Sequence, residues 1–141
     1  ALPISYTEQE LRYEDARAEM LRRFLDASFR VEISVAAAIA EEMAAATGLP
    51  PFAYSPDNPF AVKVDFDNPY IYGRNLIANR MFRCPTVFLE PYVMNGKEAY
   101  ARIQMGDYKG LREVDGEMRP SIYNEYADFV VAGLLRFVEE N

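Results

Sequence analysis

The chain contains no histidine and a single cysteine, Cys84. Without an imidazole it cannot supply the base of a Ser-His-Asp or Cys-His arrangement, nor the histidine ligands typical of catalytic zinc. Acid–base chemistry therefore falls to carboxylates, or to residues outside this chain. One cysteine excludes an internal disulfide, and its place beside an apolar run suggests a small buried hydrophobe more than a nucleophile. Basic residues are outnumbered, 15 against 22 acids, for a net charge of −7. That charge repels phosphate backbones and anionic headgroups, so no nucleic-acid partner is expected. Long hydrophobic runs are missing too: nothing approaches the roughly 20 apolar residues of a membrane span, and no apolar signal core follows a basic start. The chain reads as soluble, either cytosolic or already processed.

What is present suffices for a core. With 141 residues, 50% of them hydrophobic, the chain reads as one domain over 1–141, helical over 1–48 and α/β over 49–141 with a proline-rich insertion at 50–73. Thr7 and Glu10 have capping-box spacing, which predicts a helix start. Helical periodicity then runs through 7–47 as one long helix or two in tandem, with a break near 28–31. Gly48, followed by Pro50 and Pro51, ends it. The repeated "DNPF" (57–60) and "DNPY" (67–70) predict two turns bracketing a strand, "FAVKVDF", whose Phe60, Val62, Val64 and Phe66 share one face. Asp65 and Asp67 share the opposite face, more simply as a solvated edge than as an acid pair. The run "GRNLIANRMF" (73–82) is a short helix or an irregular approach to the next element, with Arg74 and Asn75 on its surface.

"PTVFLE" (85–90) is a continuous apolar run of the type buried on both faces, which predicts a strand in a mainly parallel sheet flanked by helices. A helix is expected from "KEAYARI", a charged surface loop over 106–119, and a last amphipathic helix capped by Ser121 with Ile122, Tyr126, Phe129, Val130, Leu134 and Phe137 on one face. Glu90 closes the apolar strand. A buried carboxylate is costly unless it is paired or used, and its plain alternative is an exposed acid paired with Arg80 or Arg83. Tyr70, Tyr72 and Tyr92 suit either a carbohydrate or peptide platform or the rim of an ordinary core.

Taken together, residues 74–138 resemble the C-terminal part of the zinc-dependent N-acetylmuramoyl-L-alanine amidases, which cleave peptidoglycan between sugar and stem peptide. The parts that carry the resemblance are Arg80, "PTVFLE" ending in Glu90, "PYVMN" ending in Asn95, Glu98 and Ala99 at a helix start, and "YADFVVAGLLRFVEE". More loosely, the Ala-rich helix 34–46 is similar to a family helix. The family's Gly-Phe pair after the glutamate is replaced by Tyr92 and Val93 in a shorter loop. The resemblance implies the C-terminal half of an amidase-like α/β domain acting in the cell envelope, periplasmic or extracellular, on a peptide–sugar substrate. It implies Glu90 as general base, with Arg80, Tyr92 and Asn95 on the substrate side. The family's zinc is held by two histidines and a glutamate N-terminal to these parts, so no metal ligand is expected here. The remaining classes are a catalytically inactive cell-wall-binding or interaction module, and a metal-free enzyme pairing Glu90 with Asp65 or Asp67. A half-domain would expose apolar surface, favouring a homo-oligomer or association with a missing N-terminal half.

Overall fold

The computed structural model describes residues 8–55, 57–58, 61–64, 67–74, 76, 78, 81–92 and 96–141. A 3-10 turn (Glu10–Arg12) leads into helices α1 (Glu14–Leu25) and α2 (Ser28–Thr47). An antiparallel pair follows, β1 (Ala61–Lys63) with β2 (Tyr72–Arg74), then helix α3 (Lys97–Gln104). A second antiparallel pair, β3 (Arg112–Val114) with β4 (Glu117–Arg119), precedes the terminal helix α4 (Ile122–Glu140).

The helical elements end where local chemistry directs. Between α1 and α2 the chain turns at Asp26 and Ala27, the latter in the left-handed region at φ 53°. The Asp26 carboxylate accepts from the Ser28 N–H at 3.0 Å, satisfying a donor at the start of α2. That bond is the chief reason its carboxyl lies below the ordinary carboxylate value. The helix stops at Gly48, φ 64°, whose N–H donates to the Ala44 carbonyl. At the start of α4 the Ser121 hydroxyl accepts from the Asn124 N–H at 3.2 Å and donates to Asp107 at 2.8 Å. Both of these helix ends agree with the sequence; the break in the first helical region falls at 26–27, just before the expected 28–31, which are helical. Thr7, half of the expected capping box, lies outside the described residues.

The core forms where α2 crosses α4. Ala38, Ile39 and Ala40 of α2 and Ile122 and Phe129 of α4 are buried, as are Ala61, Ile71 and Tyr108. Burying each large apolar side chain contributes about 1.5–3 kcal/mol. The crossing is close because position 133 is glycine: a Cβ there would fall 2.5 Å from the Ile39 Cα.

The expected parallel sheet is not what forms. The described residues are mostly helical, and the strands among them form two antiparallel pairs of three residues each. Residues 85–90 form no strand; the Thr86 N–H donates instead to the Glu32 side chain, 2.9 Å away. Phe88 is 48% exposed. An apolar run of this length does not distinguish a core strand from a segment laid across helices, and here α2 and α4 already supply the core. In β1, Ala61 is buried while Val62 is exposed, opposite to the expected face. Phe60 and Phe66 lie outside the described residues. The second "DNP" turn is present, with Asn68 accepting from the Tyr70 N–H at 3.0 Å. Within the expected loop 106–119 stands a hairpin. Val114 pairs with Glu117 across Asp115 and Gly116, at φ 49° and 86°, the positive-φ pair that a mirror-image two-residue turn requires. The Asp-Gly dipeptide was its signal.

Candidate functional site

A cavity of about 600 Å³ opens between α2, the segment 49–54, β2, residues 87–92 and the start of α3. Its aromatic wall follows from the prolines that stop α2. Pro50 and Pro51 carry the chain away from helix, and residues two apart in extended backbone share a face. The rings of Phe52 and Tyr54 meet edge-on at 5.0 Å, and Tyr54 meets Tyr72 of β2 at 4.9 Å. Tyr70 lines the same cavity and donates its hydroxyl to the Leu49 carbonyl at 2.8 Å, tying the turn before β2 to the end of α2.

On β2, Arg74 is two residues beyond Tyr72 and so shares its face. Its Nη1 donates to the Tyr54 hydroxyl at 3.2 Å and to Glu90 Oε2 at 3.0 Å, and its guanidinium carbon lies 5.8 Å from the Tyr54 ring centroid. Both Arg74 and Glu90 line the cavity. The Glu90 side chain is 53% exposed, and ion pairs this open contribute only about 0–1 kcal/mol. It is thus an exposed acid, as the plainer expectation had it, but its partner is Arg74. Arg74 itself ends a strand on the cavity wall, where a surface helix start was expected.

The buried acids are elsewhere. Glu125 on α4 and Arg102 on α3, 7% and 4% exposed, form a two-pronged pair at 2.9 and 3.0 Å. The Tyr92 hydroxyl donates to the same Glu125 oxygen at 2.8 Å. Burial, and then the negative Glu125 beside it, push the Tyr92 phenol well above the ordinary tyrosine value. On the other side, Glu32 of α2 takes both Arg23 Nη1 at 3.0 Å and the Thr86 N–H at 2.9 Å. The segment 86–92 is therefore held at its two ends by two buried carboxylates, and Glu90 stands on the span between them. Glu32 and Glu125 were missed by reading the sequence. Their signal was a lone acid on an otherwise apolar helical face: Glu125 falls three residues after Ile122 and four before Phe129.

Of the other expected residues, Tyr92 lines the cavity, but its hydroxyl is engaged by Glu125. Tyr70 and Tyr72 share that cavity with it. Arg80, Asn95, Asn75 and Asp65 lie outside the described residues. Cys84 is exposed, contrary to the expectation of a buried hydrophobe. Among the described residues no group of three His, Cys, Asp or Glu is arranged to hold a metal ion. No helix among them is long and apolar enough to cross a membrane.

Chemically, the wall offers aromatic faces for apolar or sugar surfaces, a guanidinium for an acceptor, and a carboxylate able to take a proton. Comparison with family models, with curated proteins and with solved structures finds no match to this chain.

Proposed function

We propose that the cavity binds a peptidoglycan peptide–sugar and that Glu90, at its edge, is the general base of an N-acetylmuramoyl-L-alanine amidase of the cell envelope. The zinc of such an enzyme would be held by residues outside this chain. The observation that carries the reading is the placement of Glu90 on a cavity walled by Tyr54, Tyr70 and Tyr72. Residues 80–99 and the terminal helix support it by resemblance; the strand on which that resemblance placed Glu90 does not. In this role Glu90 takes a proton from the attacking water and returns it to the leaving amide nitrogen. Association with a second copy, or with the remainder of the enzyme, belongs to the same reading and is supported by the apolar side chains left exposed on α1.

A catalytically inactive binding module is the second reading. It is favoured by the Arg74–Glu90 ion pair, which engages the candidate base. One experiment separates the two. The protein in its full native reading frame is titrated calorimetrically with an N-acetylmuramoyl peptide, and amine release is followed in parallel. The amidase reading expects binding, hydrolysis, and a loss of rate of about 10²–10⁴ in Glu90→Gln with binding retained. Binding without hydrolysis selects the module, and no binding by wild type removes both.

A further inference from the structure

The run 85–90 includes strong strand formers, Val87 and Phe88, yet in the fold its main chain pairs with no other strand. Every peptide unit brings a donor and an acceptor that need partners. The Thr86 N–H has Glu32. Beyond it, the main-chain groups of Val87, Phe88, Leu89 and Glu90 make no hydrogen bond to the described chain. All four residues line the cavity. Phe88 and Glu90 are exposed while Val87 and Leu89 are half-buried, the period of two that extended backbone produces. Pro85 and Pro91 bound the run, and neither has an N–H to donate. Held at Thr86 by Glu32 and at Tyr92 by Glu125, the run is a short strand edge fixed in place without a second strand.

We propose that residues 87–90 are the peptide-pairing edge of this cavity: a ligand peptide lies extended along them as a second strand, joined by main-chain N–H to C=O bonds. The inference rests on the binding reading above and adds to it how the peptide is held and how long a stretch is bound. Four residues at about 3.3 Å each make an edge of roughly 13 Å, which fits a peptide of about four residues. The flanking prolines stop the ladder at both ends, as they do on natural sheet edges. Strand addition takes its affinity from the main chain and its selectivity from alternate side chains. Because both ends of the run are already fixed, little ordering cost remains on the protein side. Along such an edge alternate residues face the added strand, so the bonds fall on Val87 and Leu89 or on Phe88 and Glu90.

The test alters the ligand and leaves the wild-type protein, in its full native reading frame, as it is, so no variant has to fold. An N-acetylmuramoyl tetrapeptide is compared by calorimetry with copies N-methylated at one amide at a time. Each methylation removes one main-chain donor and keeps every side chain. Methylation at alternate amides is expected to weaken binding about five- to tenfold, the worth of one hydrogen bond, and at the intervening amides to leave it unchanged. Amide hydrogen exchange of the protein supplies the second readout. Residues 87–90 are expected to exchange fast in the free protein, and the parent peptide to protect either 87 and 89 or 88 and 90. Binding without that period of two in the methylation series, or with exchange unchanged at all four amides, overturns the strand edge and leaves the binding reading standing. No binding of the parent peptide overturns both.

Discussion

At the scale of single residues, two buried carboxylates do the structural work that Glu90 does not. Glu125 receives both prongs of Arg102 and the Tyr92 hydroxyl in a site with little solvent. Removing one member leaves an opposite charge buried without its partner, which typically costs about 3–5 kcal/mol. Glu125→Ala is therefore expected to lower the free energy of urea unfolding by that amount, whereas Glu90→Ala, breaking an exposed pair, should lower it by about 1 kcal/mol or less. Tyr92 adds a pH dependence. Its phenol is harder to ionise in the folded chain than in the unfolded one. The stabilisation it gives is thus whole below about pH 10, the ordinary tyrosine value, and is lost as the pH rises through the raised folded value. The difference in stability between wild type and Tyr92→Phe should be constant through neutral pH and shrink above pH ~10. Absorbance at 295 nm should show a late-titrating phenol in wild type that is absent from Tyr92→Phe.

At the scale of elements, the helices were legible because their ends are written in a few residues. Gly48 before two prolines and Ser121 after Pro120 each impose a local geometry that tertiary contacts had no reason to override. The segment 85–90 was not legible, because a run such as "PTVFLE" says only that its side chains avoid water. What decides its form is the pair of glutamates at its ends, Glu32 and Glu125, which are 54 and 33 residues from their partners Thr86 and Tyr92. Position 133 shows the same limit from the other side: a glycine inside a helix reads as a weak point, while in the structure it is the contact that lets α4 lie on α2. Gly133→Ala gains about 1 kcal/mol of helix propensity. Against this, the new methyl meets the Ile39 Cα at 2.5 Å and its N at 2.8 Å, and backbone atoms cannot rotate aside. Overpacking of this kind costs about 1–3 kcal/mol and more where main chain must move. A net loss of stability is expected, read as a lower urea midpoint, and a midpoint equal to or above wild type would mean that α2 and α4 do not cross so closely.

At the scale of the whole molecule, α1 is turned inside out. The side chain it buries is Arg23, paired to Glu32, while Phe24 and Leu25 are 71% and 73% exposed and Met20 and Leu21 lie beside them. These four side chains form a stripe on the order of 400 Å² if their exposed fractions are taken as area, near the size at which surface patches mark interaction sites. Two such stripes brought together by a second copy would bury roughly 800 Å², short of the 1,200 Å² or more of a stable specific interface. The association is therefore expected to be weak and dependent on concentration. Charge works against it, since each copy carries −7, and salt relieves that repulsion by shortening its range to about 8 Å at 0.15 M. Light scattering coupled to size exclusion should show mass rising with protein concentration, and rising further as salt is added. The double variant Phe24→Lys, Leu25→Glu should remain a monomer under the same conditions with its helical signal intact. A wild-type chain that stays monomeric throughout would mean that the α1 stripe has no self-complementary contact to make.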